Sequence, residues 1–272
     1  QGMGSIGHLL GETFRGKVGG KFNHVAYKGS APALQDVMGG QVDFMFDPVI
    51  TTATDVNDMA ALDTLAFQLN ARMSDFRSAV KIVNQMLVSN KRVGLWWDDE
   101  LTQDVSHCDR RGFITVTDLN QLPELDALVC ITLRTNLPEL PVPHWKLVPQ
   151  RVVAGIGCRR DTPFPLLAAL LARQLEAQQL DPLALKAIGS ITLKKDEQGL
   201  IQLASCCRVP FETFTADALR EHEHRFPASS FVRKTVGTGS VSGPAAWLLS
   251  HGQLLGETLR EQGVTITLGV SH

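Results

Sequence analysis

The stretch "RVVAGIGCRRDTPFPLLAALLARQLEAQQ", residues 151–179, predicts a strand, a turn and a helix in direct succession. "RVVAGIG" is a short apolar run typical of a buried strand. Thr162 and Pro163 then begin a helix, because proline is tolerated in the first turn. A strand, a turn and a helix form the repeating unit of α/β proteins. The fold class predicted from this stretch is therefore α/β, with a mostly parallel sheet.

The same alternation continues on both sides of this unit. Downstream lie "AIGSITLKK", the helices "EQGLIQLASCCR" and "TADALREHEHR", the Gly-rich "VGTGSVSGPAAWLLSH" and the closing strand "GVTITLGV". Upstream, the amphipathic helices "DVNDMAALDTLAFQLNARM" and "SDFRSAVKIVNQMLVSN" precede the strands "RVGLWW", "FITVT" and "DALVCITLR". Four prolines in "NLPELPVPHWKLVPQ" predict an extended linker that ends near Gln150. We expect several small α/β domains.

The first residues show a similar pattern on a smaller scale. "GSIGHLLGETFRGKVG" predicts a helix that Ser5 caps. "KFNHVAY" and "QVDFMF" predict two short strands around a second helix, capped by Ser30. These strands either lack their partners or complete a parallel sheet with the residues that follow.

Composition excludes several classes of function. With 272 residues and a formal net charge of -2, the chain offers no basic field for nucleic acid. Its apolar runs stop well short of the roughly 20 residues of a membrane span, and we expect neither a membrane helix nor a signal peptide. Five cysteines without framework spacing indicate reduced thiols, which are typical of the cytoplasm.

The turn "GIGCRRDTP" stands where open α/β sheets bind ligands, between the carboxyl end of a strand and the start of a helix. Gly155 and Gly157 allow close backbone approach, while Arg159 and Arg160 offer forked donors to carboxylates. An anion site and an ordinary tight turn both fit this pattern. Cys158 is either a nucleophile in an electropositive turn or a small buried thiol.

Two further turns have side chains suited to proton transfer or anion binding. "SITLKKDEQGL" places Ser190, Lys194, Lys195 and Glu197 between a strand and a helix, which suits acid–base chemistry or a plain solvated turn. "GTGSVSGPAAWL" brings glycines and the hydroxyls of Ser240 and Ser242 to a helix start. A plain capped turn explains the second pattern almost as well.

In their order and spacing, the C-terminal motifs resemble the CbiG family, the cobalt-precorrin-5A hydrolases of cobalamin biosynthesis. "GIGCRRDTP", "AIGSITLKKDEQGL", "VPFETF", "SSFVRKTVGTGSVSGPAA" and "VTITLGV" carry the resemblance over residues 151–272. "PVITTATDVNDMAALDTLAFQLNARM" extends it to about residue 48. Gly243 departs from the pattern, because many relatives are expected to have an acidic residue there.

The resemblance implies an enzyme that opens a lactone on a cobalt-corrinoid with water and releases acetaldehyde. The cobalt belongs to the substrate, so neither a cofactor nor a protein-bound metal is expected. Other cobalamin-pathway enzymes are possible partners. The implied catalytic residues are Lys195, Glu197 and Ser242. The implied substrate-binding residues are Gly155, Gly157, Arg159, Arg160, Ser190, Gly239 and Ser240.

Residues 1–47 instead resemble the receptors of tripartite tricarboxylate transporters. That resemblance implies Ser5, His8 and Ser30 as residues facing a carboxylate ligand. The predicted domains are a receptor-like fragment (1–47), a remnant of the N-terminal CbiG-type domain (48–70), a central α/β region (71–150) and a C-terminal CbiG-type domain (151–272). Two alternative functions are a corrinoid-binding module without turnover and a carboxylate-binding receptor fragment.

Overall fold

The computed structural model describes residues 14–15, 17, 23–28, 30–45 and 60–271. These residues divide into two compact units. The first unit holds the described residues up to Leu69, with Ser74–Cys130 and Leu140–Lys146. The second unit holds Asn70–Met73, Ile131–Glu139 and the described residues from Leu147 onward. Because the units are interleaved along the chain, the division into four domains stays a prediction.

The elements before residue 150 are short. The helices are α1 (Ser30–Met38), α2 (Leu62–Gln68), α3 (Phe76–Val88) and α4 (Thr102–Ser106). The strands are β1 (Ala71–Arg72), β2 (Val93–Trp97), β3 (Ile114–Thr115), β4 (Ala127–Ile131) and β5 (His144–Pro149). They form one sheet in the order β1-β5-β4-β2-β3.

Helices α2 and α3 are joined by a buried asparagine. Asn84 is 1% exposed, and its side-chain oxygen accepts the Leu62 amide at 2.8 Å. Its nitrogen donates to Asp63 Oδ1 at 3.1 Å. The polar group is thus satisfied inside the core, as a buried amide must be.

The proline-rich stretch is only partly a linker. Residues 136–143 are in neither helix nor strand, but His144–Pro149 form β5, where Pro149 pairs with Ala71. The linker prediction was therefore wrong for its second half. The helix predicted up to Met73 was also too long, because Ala71 and Arg72 are the strand that pairs with β5.

Among the first residues, the structure supports both predicted helices. The described residues Phe14, Arg15 and Lys17 are helical, as the first prediction requires. The second helix, α1, is confirmed, with Ser30 as its first residue rather than as the cap before it. The predicted strands were wrong, because residues 23–27 and 41–45 are not strands and no described part of them joins a sheet. Ser5 and His8 lie outside the described residues, as does the junction at residues 46–59.

From residue 151 the observed elements follow the predicted alternation. The strands are β6 (Val152–Gly157), β7 (Leu185–Ile191), β8 (Phe211–Phe214), β9 (Leu254–Glu261) and β10 (Val264–Val270). The helices are α5 (Phe164–Ala177), α6 (Gln198–Cys207), α7 (Ala216–His222), α8 (Ser230–Val236) and α9 (Ser242–Leu249). Helix α8 and strand β9 were not predicted.

The sheet of the second unit has the order β8-β7-β6-β10-β9. β6, β7 and β8 are parallel neighbours, while β10 is antiparallel to both β6 and β9. Four of the five strands therefore run in one direction. This confirms the predicted α/β class with a mostly parallel sheet.

Helix α9 packs directly on the backbone of this sheet. A Cβ at Gly155 would lie 2.0 Å from the Ser242 carbonyl oxygen and 2.5 Å from the Ala246 nitrogen. Only glycine permits this approach. Gly155 therefore fixes how closely the start of α9 approaches the carboxyl end of β6.

Candidate active site

Three loops meet where parallel strands of the second unit end. We call Gly157–Pro163, after β6, the arginine loop; Thr192–Glu197, after β7, the lysine turn; and Gly237–Val241, before α9, the glycine loop. A Cβ at Gly157 would lie 3.5 Å from Val241 Cβ, so the arginine and glycine loops touch. A Cβ at Gly199, early in α6, would lie 2.2 Å from the Thr162 oxygen. The arginine loop therefore lies between the other two.

The lysine turn holds a shielded ion pair. Lys194 Nζ is 2.7 Å from Glu197 Oε2, and the two side chains are only 12% and 6% exposed. Thr192–Lys194 form a 3-10 helix, and the Glu197 amide then donates to the Lys194 carbonyl oxygen at 3.0 Å, which brings the two residues together in a tight turn. Glu197 also precedes the first turn of α6, where a negative charge is favourable. The pair has the residue types that acid–base chemistry requires.

The lysine in contact with Glu197 is Lys194, whereas sequence reasoning selected Lys195. Lys195 is exposed to solvent on the same turn. The spacing of three residues to Glu197 could have identified Lys194, had the sequence shown that a 3-10 turn follows β7.

Cys158 lies half-buried beside this pair, and the pKa of its thiol is raised. Burial raises the pKa of Cys158, and the charge of Glu197 raises it further. The charge of Lys194, which is the largest effect after burial, and a hydrogen bond with Thr162 act in the opposite direction. A raised pKa does not suit a thiolate nucleophile, so the structure favours the small buried thiol.

Two predicted binding residues have structural contacts. Ser190 is fully buried, and its hydroxyl donates to the Ile156 carbonyl oxygen at 2.7 Å, which joins β7 to β6. Gly155 receives α9. Contact of either residue with a substrate stays a prediction.

Arg159 and Arg160 are exposed on the arginine loop. The Arg159 side chain lies over the turn between β9 and β10, where a Cβ at Gly263 would be 2.7 Å from its Nε. Thr162 stabilises the loop from within by donating to the Arg159 carbonyl oxygen at 2.7 Å. Exposed guanidinium groups on a braced loop suit an anionic ligand.

The glycine loop is bound to Glu223, a residue that sequence reasoning missed. Glu223 Oε2 accepts the Gly239 amide at 2.5 Å and the Thr238 hydroxyl at 3.0 Å. Gly239, Ser240 and Ser242 are buried along this loop and the start of α9. No local pattern marks Glu223, which is one of several charged residues in "REHEHR".

The glycine at position 243 has a local explanation. A Cβ there would lie 2.3 Å from Cδ1 of the Phe226 ring. The ring occupies the space that a side chain at this position would need. An acidic residue at 243 would therefore require Phe226 to move.

Across the described part of the chain, no group of three or more His, Cys, Asp and Glu side chains is placed to hold a metal ion. Within those same residues, every helix is too short or too polar to span a membrane.

The fold and the three loops define an α/β protein with a candidate ligand site where parallel strands end. Residues 152–269 match the family described as "Cobalamin synthesis G C-terminus", and residues 60–148 match "Cobalamin biosynthesis central region". The chain is also 79% identical over 246 residues, 90% of its length, to a Salmonella typhimurium protein of which it covers 70%. It belongs to the CbiG family, which confirms the predicted resemblance.

The Salmonella relative is named cobalt-precorrin-5A hydrolase. A Priestia megaterium protein of the same name is 30% identical over 123 residues, covering 45% of this chain and 32% of that protein. The crystal structure of CobE, "a protein from the cobalamin (vitamin B12) biosynthetic pathway", gives a TM-score of 0.42 at 31% identity, with 50% of this chain and 96% of that chain covered.

Residues 1–98 match the family described as "Tripartite tricarboxylate transporter family receptor". The receptor resemblance of the N-terminal residues is therefore confirmed, and it extends past residue 47 into the central CbiG-type region. A UPF0065 protein of Agrobacterium vitis is 34% identical over 55 residues, of which this chain covers 16%.

Proposed function

We propose that this chain hydrolyses cobalt-precorrin-5A, opening its lactone with water and releasing acetaldehyde to give cobalt-precorrin-5B. The observation that carries the proposal is the 79% identity to the Salmonella hydrolase over 90% of the chain. The site supports it, because a shielded carboxylate–ammonium pair and two exposed arginines follow the neighbouring parallel strands β7 and β6. The substrate class combines a reactive ester with many peripheral carboxylates. The carboxylate–ammonium pair suits hydrolysis of the ester, and the arginines suit binding of the carboxylates.

In the proposed reaction, Glu197 accepts a proton from the attacking water, and Lys194 holds the carboxylate in place. Ser242, at the start of α9, is proposed to stabilise the oxyanion that develops on the lactone carbonyl. Lys195, which the resemblance implied as catalytic, lies exposed on the same turn, and the proposal gives the role of catalytic lysine to Lys194 instead.

Substrate binding is proposed to use the two other loops. Arg159, Arg160 and the Gly157 backbone would bind the peripheral carboxylates, since guanidinium groups pair with carboxylates in a fork. Gly239 and Ser240 would contact the substrate from the glycine loop. Ser190 and Gly155 complete the proposed set from the ends of β7 and β6.

The proposal requires no protein-held cofactor, because the cobalt is part of the substrate. The proposed location is the cytoplasm, which the five free cysteines support. Other cobalamin-pathway enzymes, which would supply and consume the corrinoid, are the proposed partners.

Incubating the full chain with cobalt-precorrin-5A and trapping acetaldehyde tests the activity. Acetaldehyde should form with the parent, and Glu197→Gln should release it about 100-fold more slowly, in the range typical of a lost general base. A folded parent sample that releases none would contradict the proposal.

A second candidate function is binding of the corrinoid without turnover. The exposure of Arg159 and Arg160 supports it, since binding needs these arginines but not the acid–base pair. A titration followed by corrinoid absorbance, run beside the acetaldehyde assay, separates the two functions. Equal affinity of Arg159→Ala and the parent would reject the anion site. A carboxylate-binding function of residues 1–47 gains no support from the described residues.

A further inference from the structure

Glu223 is the centre of a small hydrogen-bond network around the glycine loop. Its carboxylate accepts the Gly239 amide at 2.5 Å, the Thr238 hydroxyl at 3.0 Å and Arg233 at 2.8 Å. The Glu223 side chain is 13% exposed, whereas that of Arg233 is 57% exposed. Exposed ion pairs contribute little to stability, so the hydrogen bonds from Gly239 and Thr238 are the stronger part of this network.

Neighbouring groups hold the rest of the loop. Arg220 donates to the Gly237 carbonyl oxygen through Nε at 3.1 Å and through a terminal nitrogen at 2.9 Å. The Ser229 amide donates to the Gly239 carbonyl oxygen at 2.8 Å. The amide and the carbonyl group of Gly239 are thus both hydrogen-bonded to groups outside the loop.

Steric contact restricts Gly239 as well. A Cβ there would lie 2.8 Å from Ala228 Cβ and 3.3 Å from Glu223 Oε2. Residue 239 can occupy this position only because it has no side chain, since a Cβ would clash with Ala228. The Gly-Thr-Gly pattern therefore serves the bond to Glu223 in addition to any contact with a ligand.

The loop held in this way leads straight into the proposed site. It continues through Val241 to Ser242, whose nitrogen would lie 3.8 Å from a Cβ at Gly157. A shift of the loop would move Ser240 and Ser242 relative to the arginine loop. Displacements of about 1 Å at such positions have large effects on substrate binding.

We propose that Glu223 is a positioning residue, which fixes the glycine loop so that Ser240 and Ser242 meet the corrinoid. This inference rests on the proposed function, because it takes the corrinoid as the ligand of the loop. Glu223 does not touch the reacting atoms and acts through Gly239 and Thr238.

The test compares Glu223→Gln with Arg233→Gln in the full chain. In Glu223→Gln the oxygen that remains for Gly239 and Thr238 is neutral, so both loop bonds lose their charge-assisted strength, and the amide nitrogen faces Arg233 without accepting a bond. Arg233→Gln removes only the exposed ion pair and serves as the matched control. The expected result for Glu223→Gln is an increase of about tenfold in the KM for cobalt-precorrin-5A, with kcat within about threefold of the parent. Arg233→Gln should keep both constants within about twofold.

Hydrogen exchange of the peptide containing residues 237–242 provides a readout independent of turnover. Protection should fall in Glu223→Gln and persist in Arg233→Gln. Thr238→Ser keeps the hydroxyl donor and should retain the parent KM, whereas Thr238→Val should raise it. An unchanged KM or unchanged exchange in folded Glu223→Gln overturns the inference. A parent that binds the corrinoid but releases no acetaldehyde instead overturns the proposed hydrolysis, and the dissociation constant then replaces KM in this comparison.

Discussion

The neighbouring residues Lys194 and Lys195 have opposite environments on one turn. Lys194 is shielded against Glu197, while Lys195 extends into solvent. We therefore expect Lys194→Ala to lower kcat/KM by about 100-fold, because it leaves the Glu197 carboxylate buried without its partner. Lys195→Ala should change kcat/KM by less than about threefold, and Lys194→Arg should recover part of the loss. Rates of acetaldehyde release measure all three.

Equal losses in Lys194→Ala and Lys195→Ala would contradict this assignment and favour a shared role in binding anions. A larger loss in Lys195→Ala would restore Lys195 as the catalytic lysine. Unfolding curves of both variants show whether a loss of activity reflects a loss of structure.

Gly155 and Gly189 are partners in the register of β6 and β7, yet they differ in what surrounds them. A side chain at 155 would meet the Ser242 carbonyl oxygen at 2.0 Å, while one at 189 would first meet the end of Leu249 at 2.7 Å. The backbone at Ser242 cannot move aside as easily as the flexible end of the Leu249 side chain. We expect Gly155→Ala to lower the free energy of unfolding by about 3 kcal/mol and Gly189→Ala by about 1 kcal/mol or less.

Urea unfolding of the two variants and the parent measures this difference. Gly155→Ala should also raise the KM for the corrinoid, since α9 must move away from β6. If the two variants were equally stable, the close approach of α9 to Gly155 would be wrong.

At the scale of elements, the glycine loop should respond to acid through Glu223. The Gly239 amide, followed by the Thr238 hydroxyl and the charges of Arg233 and Arg220, holds the pKa of Glu223 below its ordinary 4.5, although burial acts the other way. Because the pKa is lower in the folded chain, Glu223 contributes stability that is fully present above pH 4.5 and is lost as pH falls through the lowered pKa.

Unfolding measured above and well below pH 4.5 tests this expectation. Glu223→Gln should be less stable than the parent above that pH, and the difference should narrow in acid. A constant difference across the range would show that the Glu223 carboxylate does not titrate in this way.

Elements with strong local patterns were predicted from the sequence, whereas those defined by a distant partner were not. β6 and β10 are buried apolar runs, and α5 follows a proline at its start. β9 has no such pattern, because it lies at the edge of the sheet and is largely half-exposed along its length. β5 was taken as part of a linker because three prolines precede it and Pro149 ends it, although Pro149 lies in the strand and pairs with Ala71.

The candidate site was predicted with the same limit, because sequence patterns show local clusters but not contacts between distant residues. Sequence reasoning found the three loops, because glycines, arginines and lysines cluster there in the chain. It could not find Glu223, which lies 16 residues from Gly239 and reaches it only in the fold. It selected Lys195 rather than Lys194 as the catalytic lysine, since the choice between them depends on the type of turn.

At the scale of the whole molecule, proteolysis should distinguish the true linker from β5. Glu139 is exposed in the stretch without regular structure, at the point where the two units divide. Lys146 lies within β5. A protease specific for glutamate should therefore cleave after Glu139 in the native protein, while trypsin should not cleave after Lys146. Early tryptic cleavage at Lys146 would contradict the assignment of β5.

The position of β10 between β6 and β9 has a consequence for synthesis. β6 pairs with β10 from Val152 with Val270 to Gly157 with Thr265, so one side of β6 has no partner until translation has passed residue 270. Pairing across such a separation is slow, and an open strand edge in a nascent chain invites association. Ribosome-bound chains that stop before residue 264 should therefore bind chaperones and resist compaction. Extending them past residue 270 should let the second unit close its sheet in one late step.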